Sequence, residues 1–98
     1  MKMEIDKIYL GDCLELMKEI PDKSIDCIIC DLPYAETGNK WDILIDSKEL
    51  FAQYRRIIKD NGAIVLFGSF RLGTRLLMAA PDLYKYEWIW QKDNGTNA

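Results

Sequence analysis

The stretch Ser24-Ile25-Asp26-Cys27-Ile28-Ile29-Cys30-Asp31-Leu32-Pro33-Tyr34 decides the fold. From Ile25 to Cys30 it is nearly continuous in apolar and β-branched residues, the pattern of a strand covered on both faces in a parallel sheet. From Asp31 to Asp42 all periodicity is lost. Pro33, Gly38 and Asn39 are turn residues, which makes a loop of about twelve residues, a length that is usually functional inside a compact domain.

Upstream, Ile8-Tyr9-Leu10 is a short apolar run closed by Gly11-Asp12 and reads as a first strand. Asp12 followed by Glu15 resembles a helix start, and Cys13, Leu16, Met17 and Ile20 form an apolar stripe that Pro21 stops. Asp22-Lys23-Ser24 is a polar turn. Downstream, Asp46 with Glu49 repeats the capping pattern ahead of the stripe Leu50, Phe51, Tyr54, Ile57 and Ile58, which ends at Asn61-Gly62. Ala63 to Phe67 is another buried strand, Gly68-Ser69 a tight turn with a cap, and Leu72, Leu76 and Leu77 the face of a helix stopped by Pro81. Tyr84, Tyr86, Trp88 and Trp90 alternate with polar and aliphatic residues, the period of an edge strand with one exposed face. The order strand, helix, strand, helix, strand, helix, strand predicts an α/β layer with a mostly parallel sheet, flanking helices and an antiparallel aromatic edge strand near the C-terminus.

With 98 residues, 49% hydrophobic and 30% charged, the chain has the balance of a globular domain with room for one small core. A complete doubly wound nucleotide-binding domain barely fits. The absence of histidine excludes His-based triads, His general bases and most catalytic zinc sites, and no metal site is expected. Chemistry falls to carboxylates, hydroxyls, amides and backbone. Residues 1–49 carry a net charge of -6 and residues 50–98 a net of +3, the latter largely from Arg55, Arg56, Lys59, Arg71 and Arg75. These cations read as solvated helix faces, since a duplex-binding surface normally shows a denser basic patch. Cys13, Cys27 and Cys30 are an odd number without a signal peptide, which suits a reducing cytoplasm. Cys27 and Cys30 lie three apart on a strand and point to opposite faces, so they read as small core residues rather than a metal or disulfide pair. Apolar runs fall far short of the roughly 20 residues that span a bilayer.

Ligands of open α/β sheets bind beyond the carboxyl ends of the strands, and those ends carry Gly11-Asp12, Asp31-Leu32-Pro33-Tyr34 and Gly68-Ser69. Singly, each has a plain explanation as a cap or turn. Together, Gly11-Asp12-Cys13-Leu14-Glu15-Leu16 and the stretch from Ser24 to Tyr34 resemble the amino-terminal part of DNA amino-methyltransferases with the beta-type motif order. Those enzymes carry a D/N/S-P-P-Y/F/W motif directly after a buried strand. Thr37-Gly38-Asn39-Lys40-Trp41-Asp42 and Trp88-Ile89-Trp90-Gln91-Lys92 are similar to later parts of the same catalytic region.

The resemblance implies a partial Rossmann-like methyltransferase sheet and transfer of a methyl group from S-adenosylmethionine to the exocyclic N6 amine of adenine in DNA. It assigns Asp31, Leu32, Pro33 and Tyr34 to catalysis. The Asp31 carboxylate and the Leu32 backbone carbonyl accept from the two N–H groups of the target amine, and Tyr34 stacks on a flipped base. Asp at the first motif position favours adenine N6 over cytosine N4. Leu32 departs from the family's proline, but its carbonyl stays available and Pro33 holds it extended. It also assigns Asp12 and Asp31 to cofactor binding, with Asp12 near the adenine of S-adenosylmethionine, a residue that serves equally as a helix cap.

The family's F-x-G-x-G segment and a basic target-recognition region are absent from residues 1–98. The expectation is therefore a single partial catalytic domain over 1–98, a piece of a longer bacterial or phage-type cytoplasmic enzyme, inactive alone and able to form a homo-oligomer. The rival reading is a non-catalytic α/β interaction module that dimerises through the Tyr84 to Trp90 edge.

Overall fold

The computed structural model describes residues 3–32, 46–89, 91 and 93. Along them run α1 (Cys13–Met17), β1 (Ile25–Asp31), α2 (Ser47–Ile57), β2 (Ile58–Phe67), α3 (Phe70–Ala79) and one 3-10 turn at Pro81–Leu83. β1 and β2 pair in a two-stranded parallel sheet, which gives the expected mixed α/β class. The chain divides into two compact units, one of Met1–Cys30 with Asp46–Leu66 and one of Asp31–Ile45 with Phe67–Ala98.

In the first unit both helices start where the sequence places their caps. Asp12 accepts from the Leu14 N–H at 2.9 Å, and Asp46 accepts from the Lys48 and Glu49 N–H groups at 3.1 and 3.3 Å. Ile58, the fifth residue of the predicted stripe, opens β2 instead, so α2 ends at Ile57 and Asn61-Gly62 lie within the strand. α2 buries Leu50, Phe51, Tyr54 and Ile57, with the Phe51 and Tyr54 rings edge to face at 5.9 Å. Each such aliphatic or aromatic side chain contributes about 1.5–3 kcal/mol on burial. Met17 adds the buried contact from α1.

α1 is shorter than its apolar stripe predicts. Lys18, Glu19 and Ile20 donate to Glu15, Leu16 and Met17, three residues back, so the chain tightens after Met17 instead of continuing to Pro21. The predicted turn follows, with Lys23 in the left-handed region at φ 54°. Lys23 and Ser24 then donate to the Arg56 and Ile57 carbonyls at 2.9 Å, which brings the entrances of β1 and β2 side by side.

Three expectations are corrected. Ile8-Tyr9-Leu10 forms no strand: Ile8 and Leu10 are fully exposed, and the Tyr9 hydroxyl instead accepts from the Glu4 N–H at 2.7 Å. Tyr84 to Ile89 likewise form no strand, so the antiparallel aromatic edge strand is not formed among the described residues, and Trp90 lies outside them. The alternation does set Tyr86 and Trp88 on one side, rings 6.0 Å apart, but a strand also needs a ladder partner and the described sheet holds only two. Finally, β1 is not covered on both faces. Burial alternates along β1 and β2, and Ile29 and Val65 remain exposed.

In the second unit, Ser69 caps α3 by accepting from the Leu72 N–H at 3.2 Å, as the Gly68-Ser69 turn predicts. A Cβ on Gly68 would lie 3.3 Å from the Gly73 nitrogen, so the turn is tight against the helix it starts. Among the described residues of this unit, Leu32, Leu72 and Ala80 are the buried apolar ones, and α3 ends at Ala79 ahead of Pro81.

Candidate active site

The residues on either side of Asp12 in sequence line an apolar cleft of about 680 Å³, within the range of small-ligand pockets. Ile5, Tyr9, Leu16, Met17 and Ile20 line it, with Gly11 and Cys13 on either side of Asp12 in sequence. Gly11 is held close here, since a Cβ on it would lie 3.1 Å from Leu16 Cδ1. One Asp12 carboxylate oxygen is committed to the Leu14 N–H. The other makes no hydrogen bond among the described residues, so the exposed cap retains an acceptor. A carboxylate acceptor beside an apolar slot is a donor set suited to a flat heterocycle bearing an amine.

The same region holds a polar contact that the sequence does not announce. Burial, and then contact with the Cys30 thiol, push the Tyr54 hydroxyl well above the usual tyrosine range. The Cys13 thiol is also pushed up, first by burial and then by the Asp12 carboxylate and Cys30. All three cysteines are free thiols. Cys13 is thus held as a protonated thiol rather than poised as a nucleophile. The reading of Cys27 and Cys30 as small core residues is corrected at Cys27, which is exposed on β1, while Cys30 is half-buried. Tyr54 reads in the sequence only as part of the α2 stripe, and nothing local marks its polar role.

Asp31 is the last residue of β1 and is exposed, so its carboxylate stands at the carboxyl end of the strand where the loop begins. Leu32 follows and is buried, 3% exposed. The leucine that departs from the family's proline therefore anchors the start of the loop by its side chain. Pro33 and Tyr34, like the segment Thr37 to Asp42, lie outside the described residues.

Arg56 is the second residue whose importance the sequence conceals. It reads as a solvated cation, yet it donates to the Met17 and Ile20 carbonyls at 2.7 and 2.6 Å and to Asp22 at 2.8 Å. Those partners lie more than thirty positions away, beyond any local pattern. The tie holds the segment after α1 against α2, and so fixes the floor of the cleft. No helix among the described residues is long and apolar enough to cross a membrane.

No family model matches the chain. It is 29% identical to the Type II methyltransferase M.BamHI of Bacillus amyloliquefaciens over 74% of its own length, and 29% identical to the Type II methyltransferase M.HinfI of Haemophilus influenzae over 92%. The chain spans 20% and 32% of the length of these two relatives. The second alignment takes in both the Gly11-Asp12 cap and the stretch that ends β1, since it covers nearly the whole chain. By sequence, this chain is similar over most of its length to Type II methyltransferases.

Proposed function

We propose that the chain is the catalytic-loop portion of a DNA methyltransferase that uses S-adenosylmethionine to methylate the N6 amine of adenine. The observation that carries this reading is the exposed Asp31 at the carboxyl end of β1, ahead of Leu32-Pro33-Tyr34, in a chain similar to Type II methyltransferases over most of its length. An exocyclic amine is a poor nucleophile because its lone pair is delocalised into the ring. Two acceptors aimed at its N–H groups favour the pyramidal geometry in which that lone pair is released. The Asp31 carboxylate is one acceptor and the Leu32 carbonyl the other, held in place by the buried Leu32 side chain. Tyr34 receives the flipped base by stacking.

S-adenosylmethionine supplies an electron-poor methyl group when bound. Asp12 would hold the adenine end of that cofactor with the carboxylate oxygen that the Leu14 N–H does not use, and the apolar cleft lined by Gly11 and Cys13 would keep water from the ring. Asp31 would serve the target amine, and no covalent link to the enzyme is required. Residues 1–98 constitute one partial catalytic domain in this reading, and the polypeptide that carries the activity also contains a glycine turn for the methionine part of the cofactor. The first amine in the reaction is adenine N6 because aspartate opens the motif.

The test is nucleoside analysis of DNA from a methylation-deficient host expressing the full-length polypeptide. N6-methyladenine above background is the expected product. N4-methylcytosine in its place would overturn the adenine assignment while keeping the reaction class, and unmodified DNA would overturn the reading.

A further inference from the structure

The four arginines of the chain divide into two kinds. Arg56 is tied to Met17, Ile20 and Asp22, and Arg55 also has a partner. Arg71 and Arg75, both on α3 and both exposed, have no ion pair or hydrogen bond among the described residues. They lie four apart and so share one side of the helix, separated by about 6 Å of axial rise. Phe70, Thr74 and Met78 complete the same arc, since successive residues turn by about 100° around a helix. Phe70 is 91% and Met78 76% exposed, while Leu72 on the opposite side is buried. α3 has no acidic residue to neutralise this face. Thr74 turns its hydroxyl back onto the Phe70 carbonyl at 2.8 Å, which leaves the two guanidinium groups as the polar content of the arc.

We infer that this face of α3 docks on the sugar-phosphate backbone of DNA, with Arg71 and Arg75 on phosphates and Phe70 covering the adjacent sugar or an unstacked base. Charge complementarity selects the occupant. Two unpaired arginines leave little room for an apolar partner, which would strip their water and return no counter-charge. A phosphate pair instead accepts from both guanidinium groups and releases its counterions. An axial rise of about 6 Å corresponds to roughly two nucleotides along one strand of a duplex. The surface lies on α3, in the unit that also contains the loop after β1. The inference rests on the DNA reading above and adds a surface to it.

Fluorescence anisotropy of a labelled duplex, titrated with the 98-residue chain across a series of salt concentrations, tests it. The variant Arg71→Gln with Arg75→Gln is expected to bind about tenfold more weakly at low salt and to lower the salt slope by about 1.8, the value for two phosphate contacts. Arg71→Lys with Arg75→Lys keeps most of the slope, because the charges remain. Lys18→Gln with Lys48→Gln, which removes the same charge elsewhere, leaves it within error. Wild-type binding with a slope unchanged by the double glutamine variant overturns the α3 surface and leaves the DNA reading standing. Absence of salt-dependent binding by the wild-type chain also overturns the α3 surface, while the DNA reading stands or falls on the nucleoside analysis of the full-length polypeptide.

Discussion

The guanidinium of Arg56 closes the carbonyl end of α1, donating from Nη2 to the Met17 oxygen at 2.7 Å. Nη1 reaches the Ile20 carbonyl at 2.6 Å and Asp22 at 2.8 Å, and Gln53 accepts from Nε at 3.1 Å. A planar fork is needed to meet acceptors in several directions at once, which a lysine ammonium on a flexible stem does not reproduce. Arg56→Ala is therefore expected to destabilise the chain by about 3 kcal/mol, since hydrogen bonds to charged groups are lost and part-buried carbonyls are left unmet. Arg56→Lys recovers less than half of that. Urea unfolding of the three proteins measures both values, and a cost below about 1 kcal/mol for the alanine variant would contradict the role.

Tyr54 gives the chain an alkaline limit. Its folded-state pKa is raised above that of the unfolded chain, which is about 10 for tyrosine. The folded state then holds a proton that the unfolded state releases, so this contribution is fully present below about pH 10 and declines as pH rises beyond it. Unfolding midpoints measured between neutral pH and pH 11 should fall above pH 10 in the wild type and fall less in Tyr54→Phe. An identical alkaline decline in both proteins would place its origin elsewhere.

Gly62 is required by close approach. A Cβ there would lie 2.7 Å from Ile58 Cδ1, a side-chain end that can move, and 2.9 Å from the Asp26 carbonyl oxygen, which belongs to the paired strand. Gly62→Ala should cost about 1–3 kcal/mol by forcing β1 and β2 apart locally. Thermal unfolding reads the loss, and an unchanged Tm would show that the strands have slack at this point.

Asp12 has two roles that substitution separates. Asn caps a helix about as well as Asp, whereas Ala loses the bond to the Leu14 N–H. Asp12→Asn should therefore keep stability, and Asp12→Ala should lose about 1 kcal/mol. If Asp12 also holds the cofactor, both substitutions weaken S-adenosylmethionine binding by the full-length polypeptide, which calorimetry measures. Weakening by Ala alone would reduce Asp12 to a cap.

The elements legible in the sequence are those specified by neighbours. Asp46 and Ser69 cap α2 and α3 because a short polar side chain reaches N–H groups two or three residues on, and the buried faces of both helices follow from their period, although Ile58 passes into β2 and Leu77 stays exposed. Turn chemistry marks Lys23 in the same way. Pairing is not local, which is why Ile8-Tyr9-Leu10 and Tyr84 to Ile89 have strand-like patterns but no ladder among the described residues. The apolar run of β1 likewise announces a strand, but not that Ile29 stays exposed on its second face. At the site, Asp12 and Asp31 stand out because they end apolar runs. Arg56 and Tyr54 do not, because their partners come from distant parts of the chain.

The central claim is that Asp31 accepts from the target amine, and it is tested by measuring methyl transfer from labelled S-adenosylmethionine to DNA by the full-length polypeptide with Asp31→Ala. Because Asp31 is exposed at the end of β1, the substitution leaves the fold intact. Transfer should fall by at least about a hundredfold, the scale of losing one preorganised electrostatic group, while cofactor binding stays within a few-fold of wild type. Near-normal transfer by the alanine variant would contradict the account.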